Sequence, residues 1–244
     1  MDKRSKFWLN NYKGFSKAKA EEHKINVYSK HGWERRIKVF SGILDNLLKS
    51  GKLKPGNEAV DFGCGTAMYS GIMKDSGLKV TAVDFCLDML ELAKEKRGNA
   101  IDYVNSDCSK LPFKDNAFDL AISFGMITIM TDPDPFFSEL ARVTKPGSLI
   151  MIMTLNKLFT SGIFHSERKR GIPLPEDISI IDYNPFHLKK RLEKNFTGKF
   201  EIIPIFIFPA RIRFLEKVFQ KSGLMRLSAI FLASAFILKI RRAL

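Results

Sequence analysis

The residues from Glu58 to Ala67, which read EAVDFGCGTA, decide the fold of this chain. The apolar run at residues 58–62 predicts a buried strand, and the Gly-Cys-Gly-Thr sequence after it predicts a tight turn into a helix. Glycine lets a ligand approach the backbone closely because it has no Cβ. A helix N-terminus behind such a turn offers free N–H groups and the positive end of the helix dipole. The stretch therefore predicts a strand, a ligand-binding turn and a helix in direct succession.

Further strands and helices alternate after this stretch. Apolar runs predict strands at residues 79–83, 101–104, 118–123 and 149–154, the last preceded by a turn at 145–147. Such alternation is typical of βαβ units with right-handed crossovers, and hence of a parallel sheet. Ligands bind these sheets outside the carboxyl ends of the strands. The pattern therefore locates the candidate site at that edge.

Acidic side chains lie at the ends of three of the predicted strands. Asp61 is near the end of the first strand, Asp84 closes the second, and Asp107 follows the third. A carboxylate at Asp84 can accept both hydroxyls of a ribose, and Asp107 can accept from the exocyclic amine of an adenine. A single Asp in a loop is more often a turn former. Acids at successive strand ends instead indicate a nucleoside-binding site.

The spacing of small residues bears on the class of cofactor. A dinucleotide site requires G-x-G-x-x-G/A, which would place a small residue at position 68. That position is Met68, and the small residue is Ala67. A nicotinamide cofactor is therefore disfavoured but not excluded, and a sulfonium cofactor is the alternative.

Several segments together resemble the class I S-adenosylmethionine-dependent methyltransferases. Residues 59–66 are similar to motif I of that family, and Asp84 matches its acidic ribose-binding position. Residues 106–113, SDCSKLPF, resemble the adenine-side motif, and residues 118–123 resemble motif IV. Residues 137–147, FSELARVTKPG, resemble the E-x-x-R-V-L-K-P-G-G segment of the ubiquinone/menaquinone-biosynthesis branch. Two positions depart from the pattern, each lacking a glycine that is usual there: Ala67 and Ser148.

The resemblance implies an α/β, Rossmann-like fold. Its seven-stranded sheet would have the order 3-2-1-4-5-7-6, with strand 7 antiparallel and helices on both faces. The C-terminal third agrees, because it contains a capped helix from Pro185 to about Glu193 and apolar runs at 200–208 and 231–240. S-adenosyl-L-methionine would be the cofactor and S-adenosyl-L-homocysteine the product. The residues assigned to the cofactor are Asp61, Gly63, Cys64, Gly65, Thr66, Asp84, Phe85, Asp107, Cys108, Ser123 and Phe124.

The flanks of this core are predicted to bind the methyl acceptor. We expect residues 1–56 to form a basic helical cap and residues 57–244 the methyltransferase domain, in which 155–183 is an acceptor-side lid or an insertion. In the resembled family the N-terminal region covers the cofactor and helps to form the acceptor pocket. The candidate acceptor-binding residues there are Tyr28, Trp33 and Arg36.

Methyl transfer from a sulfonium is an in-line displacement whose leaving group is already activated. The protein must chiefly align the reactants and exclude water, and a base is needed only where the nucleophile loses a proton. The candidate bases are His165, Tyr183 and His187, although a lone histidine is more often a surface residue. The sequence at 132–135, DPDP, is not the Asn/Asp-Pro-Pro-Tyr/Phe signature of enzymes that methylate nucleic-acid amines.

Charge is unevenly distributed along the chain. The net charge of +14 divides into +9 for residues 1–56, −5 for 57–155 and +10 for 156–244. Basic flanks predict an anionic partner, although a solvated basic surface is the alternative. The segment from Pro209 to Lys221 predicts an amphipathic helix that either packs on the core or contacts a membrane peripherally. A small-molecule or amphiphilic, anionic acceptor is therefore favoured.

Other classes of protein and location remain as alternatives. An RNA methyltransferase would use the basic flanks for phosphate contacts, and a non-catalytic S-adenosylmethionine-binding protein would need no base. The three cysteines lack a CxxC pair, which predicts neither a disulfide framework nor a metal site. No signal peptide is visible, so a cytoplasmic location is expected. The 12 uncharged residues at 227–238 are too few for a membrane span, which needs roughly 18 to 20, so no transmembrane helix is expected.

Overall fold

The computed structural model describes residues 2–18, 22, 30–160, 175, 178–205, 233 and 235–244. Its sheet has the strand order β3-β2-β1-β4-β5-β7-β6. The strands are β1 Glu58–Phe62, β2 Lys79–Asp84, β3 Asp102–Asn105, β4 Phe118–Phe124, β5 Thr144–Leu155, β6 Gly198–Ile205 and β7 Ala235–Arg242. Strands β1 to β5 are parallel, whereas β7 runs antiparallel to both β5 and β6. The fold class implied by the resemblance is thereby confirmed.

Helices connect most of the strands. Their bounds are α1 Lys3–Lys17, α2 Lys30–Lys49, α3 Met68–Asp75, α4 Leu87–Arg97, α5 Asp134–Val143, α6 Lys157–Thr160 and α7 Pro185–Leu192, with a 3₁₀ turn at Met126–Thr128. The start of α7 follows from its sequence. The Asn184 side chain accepts from the backbone N–H groups of Phe186 and His187, and Pro185 occupies the first helical position.

Apolar side chains pack on both faces of the sheet. Along β5, Met151 and Met153 belong to one buried cluster, and Ile150 and Ile152 belong to the other. This division follows from the alternation of side chains along a strand. The first cluster contains the buried stripe of α2 and the apolar side of α3, and the second contains residues of α5 and α7. Helices therefore cover both faces, while the boundary expected between residues 56 and 57 stays a prediction.

The beginning of β5 differs from the expectation of a turn at residues 145–147. The strand already starts at Thr144, which pairs with Phe118, and the register then shifts so that Leu149 pairs with Leu120. Residues 145–148 lie opposite the single residue Asp119 and form a bulge inside the strand, where Gly147 has a φ of +77°. A bulge accommodates a proline, which has no N–H for the ladder. The expected turn is thus wrong.

The segment at residues 227–238 is described only in part. Its last residues, from Ala235, belong to β7, and residues 227–232 and 234 lie outside the described part. Within the part of the chain that the structure describes, no helix carries an apolar run of the length that would cross a membrane.

Candidate cofactor site

The turn after β1 has a backbone shape that favours glycine. The N–H groups of Gly63 and Cys64 both donate to the carbonyl of Val83, at 2.8 and 3.0 Å. The φ angles of Gly63 and Gly65 are +72° and +55°. A Cβ on Gly63 would lie 2.8 Å from the Cβ of Met126, on the turn after β4. Glycine is therefore required at position 63 both by the backbone angle and by the close approach of the neighbouring loop.

Ala67, which replaces the third glycine, also adopts a left-handed conformation. Its φ is +54° where it caps the start of α3. This conformation costs an L-residue about 1–2 kcal/mol. The fully buried methyl group recovers about 0.8 kcal/mol, and the stiffer unfolded chain about 0.4–1 kcal/mol. The buried methyl group and the stiffer unfolded chain offset the backbone strain, so alanine can occupy this position.

Two substitutions at Ala67 test this balance. Ala67→Gly is expected to change the melting temperature by less than about 4 °C, because strain relief and lost burial offset each other. Ala67→Val is expected to lower it by more, since β-branched residues rarely adopt a positive φ. Scanning calorimetry of both variants measures the shifts. A gain of about 10 °C in Ala67→Gly would show that the methyl group does not compensate the strain.

Asp84 joins the end of β2 to the glycine turn. Its Oδ2 accepts from the N–H of Gly65 and its Oδ1 accepts from the N–H of Cys86, both at 2.9 Å. The residue is only 6% exposed, and burial raises the pKa of its carboxyl group. Each carboxylate oxygen can accept more than one hydrogen bond. The side chain therefore retains capacity for two ribose hydroxyls while it shapes the turn.

Asp61 is a second buried carboxyl group at the same edge. Its Oδ2 accepts from the hydroxyl of Ser70 at 2.7 Å. Burial raises the pKa of Asp61 to about 7, the charge of Asp84 adds to this rise, and the Ser70 hydrogen bond opposes it. A buried carboxyl group with so high a pKa is poised to ionise when a positive charge comes close. The arrangement suits a cationic ligand group.

The segment after β3 presents Asp107 and buries Cys108. Asp107 is exposed, and its Oδ1 accepts from the N–H of Ser109 at 2.8 Å, so it does form a turn. Its role in binding a ligand stays a prediction. Burial raises the pKa of the Cys64 and Cys108 thiols, so both are neutral apolar groups. Among the described residues, His, Cys, Asp and Glu form no group of three or more that could hold a metal ion.

The other predicted cofactor residues are two buried hydroxyl residues, Ser123 and Thr66, and two aromatic residues, Phe85 and Phe124. Ser123 is 1% exposed, and in the described part its hydroxyl has no hydrogen-bond partner. Thr66 is also buried at this edge, whereas Phe85 meets Tyr12 of α1 edge to face. Phe124 packs edge to face against Tyr69 at 4.7 Å, as part of the core between α2 and α3. Their contacts with a cofactor stay predictions.

Helix α1 lies across the carboxyl ends of the strands. Near its start, Arg4 donates to the carbonyls of Ile129 at 2.7 Å and Thr128 at 3.2 Å, just after β4, and to that of Ser179. Near its end, Ser16 donates to the carbonyl of Asp88 at 2.8 Å, just after β2. Because β1 lies between β4 and β2, the helix passes over the glycine turn.

The resemblance placed the N-terminal region over the cofactor, but the sequence motifs indicated no residue of α1 as a site residue. Its inner side carries Trp8, which is 2% exposed and stacks on Tyr12. Leu9, Tyr12 and Phe15 pack against the buried Cys86 and Met89. The spacing of Trp8, Tyr12 and Phe15 indicates a buried helical stripe. The spacing does not indicate which edge of the sheet that stripe covers.

The predicted acceptor residues are only partly described. Tyr28 and the segment from Pro209 to Lys221 lie outside the described residues. Trp33 is half-buried on α2, and Arg36 is 2% exposed. Phe40, one turn after Arg36, meets Phe124 at the carboxyl end of β4, so Arg36 lies at the level of the carboxyl edge. Their roles in acceptor binding stay predictions.

The candidate bases have different surroundings. Tyr183 donates its hydroxyl to the carbonyl of Ile127 at 3.1 Å, and burial raises its pKa, so it is a neutral donor. His187 is exposed in the first turn of α7. His165 and most of the predicted lid at 155–183 lie outside the described residues. The two ends of that lid are paired, since the backbone N–H of Tyr183 donates to the carbonyl of Leu155 at 3.1 Å.

Comparison with known proteins relates this geometry to a family. A family model described as a methyltransferase domain matches residues 60–152. A demethylmenaquinone methyltransferase from Renibacterium salmoninarum is 40% identical over 99 residues, which are 40% of this chain and 41% of that protein. A malonyl-[acyl-carrier protein] O-methyltransferase from Serratia marcescens is 34% identical over 111 residues, which are 46% and 43% of the two chains. The chain thus spans less than half the length of these relatives.

A solved structure extends the likeness of fold to nearly the whole chain. It is an S-adenosylmethionine-dependent methyltransferase from Thermotoga maritima, described as a possible histamine N-methyltransferase. The match has a TM-score of 0.63 at 17% identity and covers 96% of this chain and 99% of that one. A methyltransferase is indicated alike by the sheet order, the matched family model and the curated relatives. Residues 60–152 thus match a methyltransferase domain, and this part of the chain is similar to demethylmenaquinone and malonyl-[acyl-carrier protein] methyltransferases, while its sheet order is that of the class I methyltransferases, whose cofactor is S-adenosylmethionine.

Proposed function

We propose that this protein is an enzyme that transfers the methyl group of S-adenosylmethionine to a small-molecule or lipid-like acceptor with a negative charge. The acceptor atom attacks the methyl carbon while the carbon–sulfur bond breaks. The bonding electron pair stays on sulfur, which becomes the neutral thioether of S-adenosylhomocysteine. The protein contributes alignment of the reactants and exclusion of water.

The residues at the carboxyl edge would divide the work of holding the cofactor. Asp84 would accept hydrogen bonds from the ribose hydroxyls, and Asp107 would accept one from the adenine amine. Asp61 would lie near a positively charged group of the cofactor. The turn at Gly63 and Gly65 would let the cofactor approach the backbone. Residues of β4 and α1 would then enclose the reacting methyl group.

The observation that carries the acceptor proposal is the charge of α1. The helix contains five basic residues and no acidic one, and it lies across strand ends that carry buried carboxyl groups. A cationic cover over a cleft attracts anionic molecules to it. Arg36 adds a positive charge at the same edge. The aromatic side chains of Trp8 and Tyr12 on the inner side of α1 suit an acceptor with an apolar part.

An anionic acceptor also fits the state of the candidate bases. Where the negative charge lies on the nucleophilic atom itself, that atom has already lost its proton, and the transfer needs no base from the protein. Tyr183 can then remain a donor to the carbonyl of Ile127, as the structure has it. The two curated relatives are named for different acceptors, a demethylmenaquinone and a malonyl group on a carrier protein. The similarity to these relatives therefore supports the reaction, and the proposed acceptor rests on the flanks.

A methyl-transfer assay on fractionated cell extract tests the proposal. The extract is incubated with the protein and with S-adenosylmethionine labelled in the methyl group, and lipid, RNA and small-molecule pools are then separated. We expect label in the lipid or small-molecule pool. Label only in RNA would contradict the proposal and support an RNA methyltransferase. Cofactor binding without label in any pool would support the non-catalytic alternative.

Charge reversal on α1 tests the anionic acceptor separately. Lys6 and Lys13 are exposed on this helix, and the double variant Lys6→Glu, Lys13→Glu is expected to lower kcat/KM for the labelled pool about tenfold. The affinity for S-adenosylhomocysteine should stay within about twofold. Initial rates at limiting and saturating pool concentrations, together with calorimetric titration, measure both quantities.

The matched control reverses two lysines at the opposite edge of the sheet. Lys52 and Lys54 are also exposed, and they precede β1. Lys52→Glu, Lys54→Glu changes the net charge by the same amount, and it should leave kcat/KM almost unchanged. Equal losses in the two double variants would show that net charge, and not the position of α1, attracts the acceptor.

A further inference from the structure

We propose that Glu139 and Arg142 on α5 are positioning residues for the adenine of the bound cofactor. They would act by fixing the turn that carries Asp107. The proposal rests on the cofactor site described under the proposed function, because it requires the adenine to meet Asp107. It gives the E-x-x-R part of the segment at 137–147 a role in cofactor recognition.

The pair holds both polar backbone atoms of one loop residue. Oε2 of Glu139 accepts from the N–H of Leu111 at 2.7 Å, and Nη2 of Arg142 donates to the carbonyl of Leu111 at 3.1 Å. Two hydrogen bonds of 2.8 Å join Arg142 to Glu139. These bonds lower the pKa of Glu139, so the pair is ionised. Leu111 is therefore fixed in position and orientation by a single ion pair.

The same end of α5 holds the rest of the loop that leads to β4. Arg142 donates from Nη1 to the carbonyl of Phe113 at 2.7 Å and to Asp115 at 2.8 Å. The N–H groups of Asn116 and Ala117 donate to the backbone carbonyls of Arg142 and Val143 at 2.9 and 2.8 Å. The loop contains no helix, so these contacts determine its path.

The turn with Asp107 lies between this anchor and the end of β2. On one side, the N–H of Ser106 donates to the backbone carbonyl of Asp84 at 3.1 Å. Within the turn, Asp107 accepts from Ser109 through its side chain and from Lys110 through its carbonyl. On the other side, the next residue is Leu111. Loss of the ion pair would release this second anchor and let the Asp107 carboxylate move away from the adenine.

The arrangement separates an effect on the ligand from an effect on folding. The side chain of Arg142 is 32% exposed, and ion pairs of that exposure contribute little to stability. A misplaced Asp107 carboxylate, in contrast, no longer accepts the hydrogen bond from the adenine amine, and hydrogen bonds to an ionised acceptor are among the stronger ones. We therefore expect removal of Arg142 to reduce cofactor affinity more than stability.

Calorimetric titration of Arg142→Gln with S-adenosylhomocysteine tests the proposal. We expect the affinity to fall about tenfold. A second titration uses the analogue whose purine lacks the 6-amino group, and its affinity should fall less than twofold because it makes no amine hydrogen bond to lose. Equal losses for both ligands would show a general structural effect and would overturn the proposal, as would an unchanged affinity for S-adenosylhomocysteine.

Arg191→Gln is the matched control. Arg191 also pairs with acids at α5, namely Asp132 at 2.6 Å and Asp134, but these lie at the start of the helix, away from Leu111. It should leave both affinities unchanged, and a loss as large as that of Arg142→Gln would overturn the proposal. Glu139→Gln is a milder variant that keeps an acceptor for Leu111, so it should show a smaller loss in the same direction.

A double-mutant cycle shows whether Arg142 acts through Asp107. Asp107→Asn alone should weaken the binding of S-adenosylhomocysteine, and adding Arg142→Gln should weaken that binding no further. Additive losses would overturn the proposal. If Asp84→Asn weakens binding and Asp107→Asn does not, the cofactor site stands and the proposal fails. If the unaltered protein does not bind S-adenosylhomocysteine, the proposed function fails together with it.

Discussion

Replacing Asp84 with asparagine is expected to weaken the binding of S-adenosylhomocysteine about a hundredfold. Asp84 is placed to accept both ribose hydroxyls, and hydrogen bonds to an ionised acceptor contribute about 1.5–3 kcal/mol each. Asparagine has only one side-chain oxygen. It could accept from the N–H of Gly65 or from that of Cys86, whereas the carboxylate accepts from both. The glycine turn and the bound ribose would thus each lose a hydrogen bond to residue 84. Calorimetric titration measures the change in Kd.

Asp119→Asn provides a matched control for that measurement. Asp119 also accepts from a backbone N–H, that of Glu58 at 2.9 Å, and from Lys145 at 2.8 Å. It lies near the amino end of β4, at the opposite edge of the sheet from Asp84. We expect this variant to lower the melting temperature but to keep Kd within about twofold. An unchanged Kd in Asp84→Asn would contradict the assignment of Asp84 as the residue that binds the ribose hydroxyls.

The position of Asp84 was predictable because it depends on local sequence. The apolar run before it specifies β2, the period of the βαβ unit specifies which edge it reaches, and the structure ends β2 at this residue. The same reasoning located the glycine turn after β1. It did not reveal the bulge at the start of β5, because a bulge depends on the pairing of Thr144 with Phe118 on another strand.

The placement of α1 and the partners of α5 were not predictable in this way. Arg4 bonds to carbonyls about half the chain away, and the sequence contains no period that identifies them. The E-x-x-R spacing of Glu139 and Arg142 indicated a family resemblance, but the pattern did not name Leu111 as the residue that both hold. Contacts between distant segments thus supplied the parts of the site that periodicity does not encode.

Asp61→Asn is expected to change how stability depends on pH. In the folded protein the pKa of Asp61 is about 7, compared with 3.8 for an unperturbed carboxyl group. Between these values the folded state holds a proton that the unfolded state has released, so the contribution of Asp61 to stability falls as pH rises from about 4 to 7. Asparagine does not titrate. The unfolding free energy of the variant minus that of the unaltered protein should therefore rise over this window, by up to about 4 kcal/mol.

Chemical denaturation at a series of pH values measures that difference. Ser70→Ala is the informative companion, since the Ser70 hydroxyl lowers the pKa of Asp61. Removing it should raise that pKa further and extend the window toward higher pH. A difference between Asp61→Asn and the unaltered protein that is constant with pH would show that Asp61 is ionised in the folded state throughout.

Binding of the cofactor should lower the pKa of Asp61, whereas burial raises it. A positive charge beside the carboxyl group favours its ionised form, so binding below about pH 7 must expel the proton that burial holds there. The affinity for S-adenosylmethionine should consequently fall up to about tenfold for each pH unit below 7. In Asp61→Asn it should be weaker at pH 8 and should lose this dependence. Titrations at pH 6 in two buffers of different ionisation enthalpy detect the released proton directly, and no release would contradict a cationic contact at Asp61. The carboxyl group would then reduce stability above pH 4 in exchange for selective binding of a cation, which is the balance expected of a binding residue and not of a structural one.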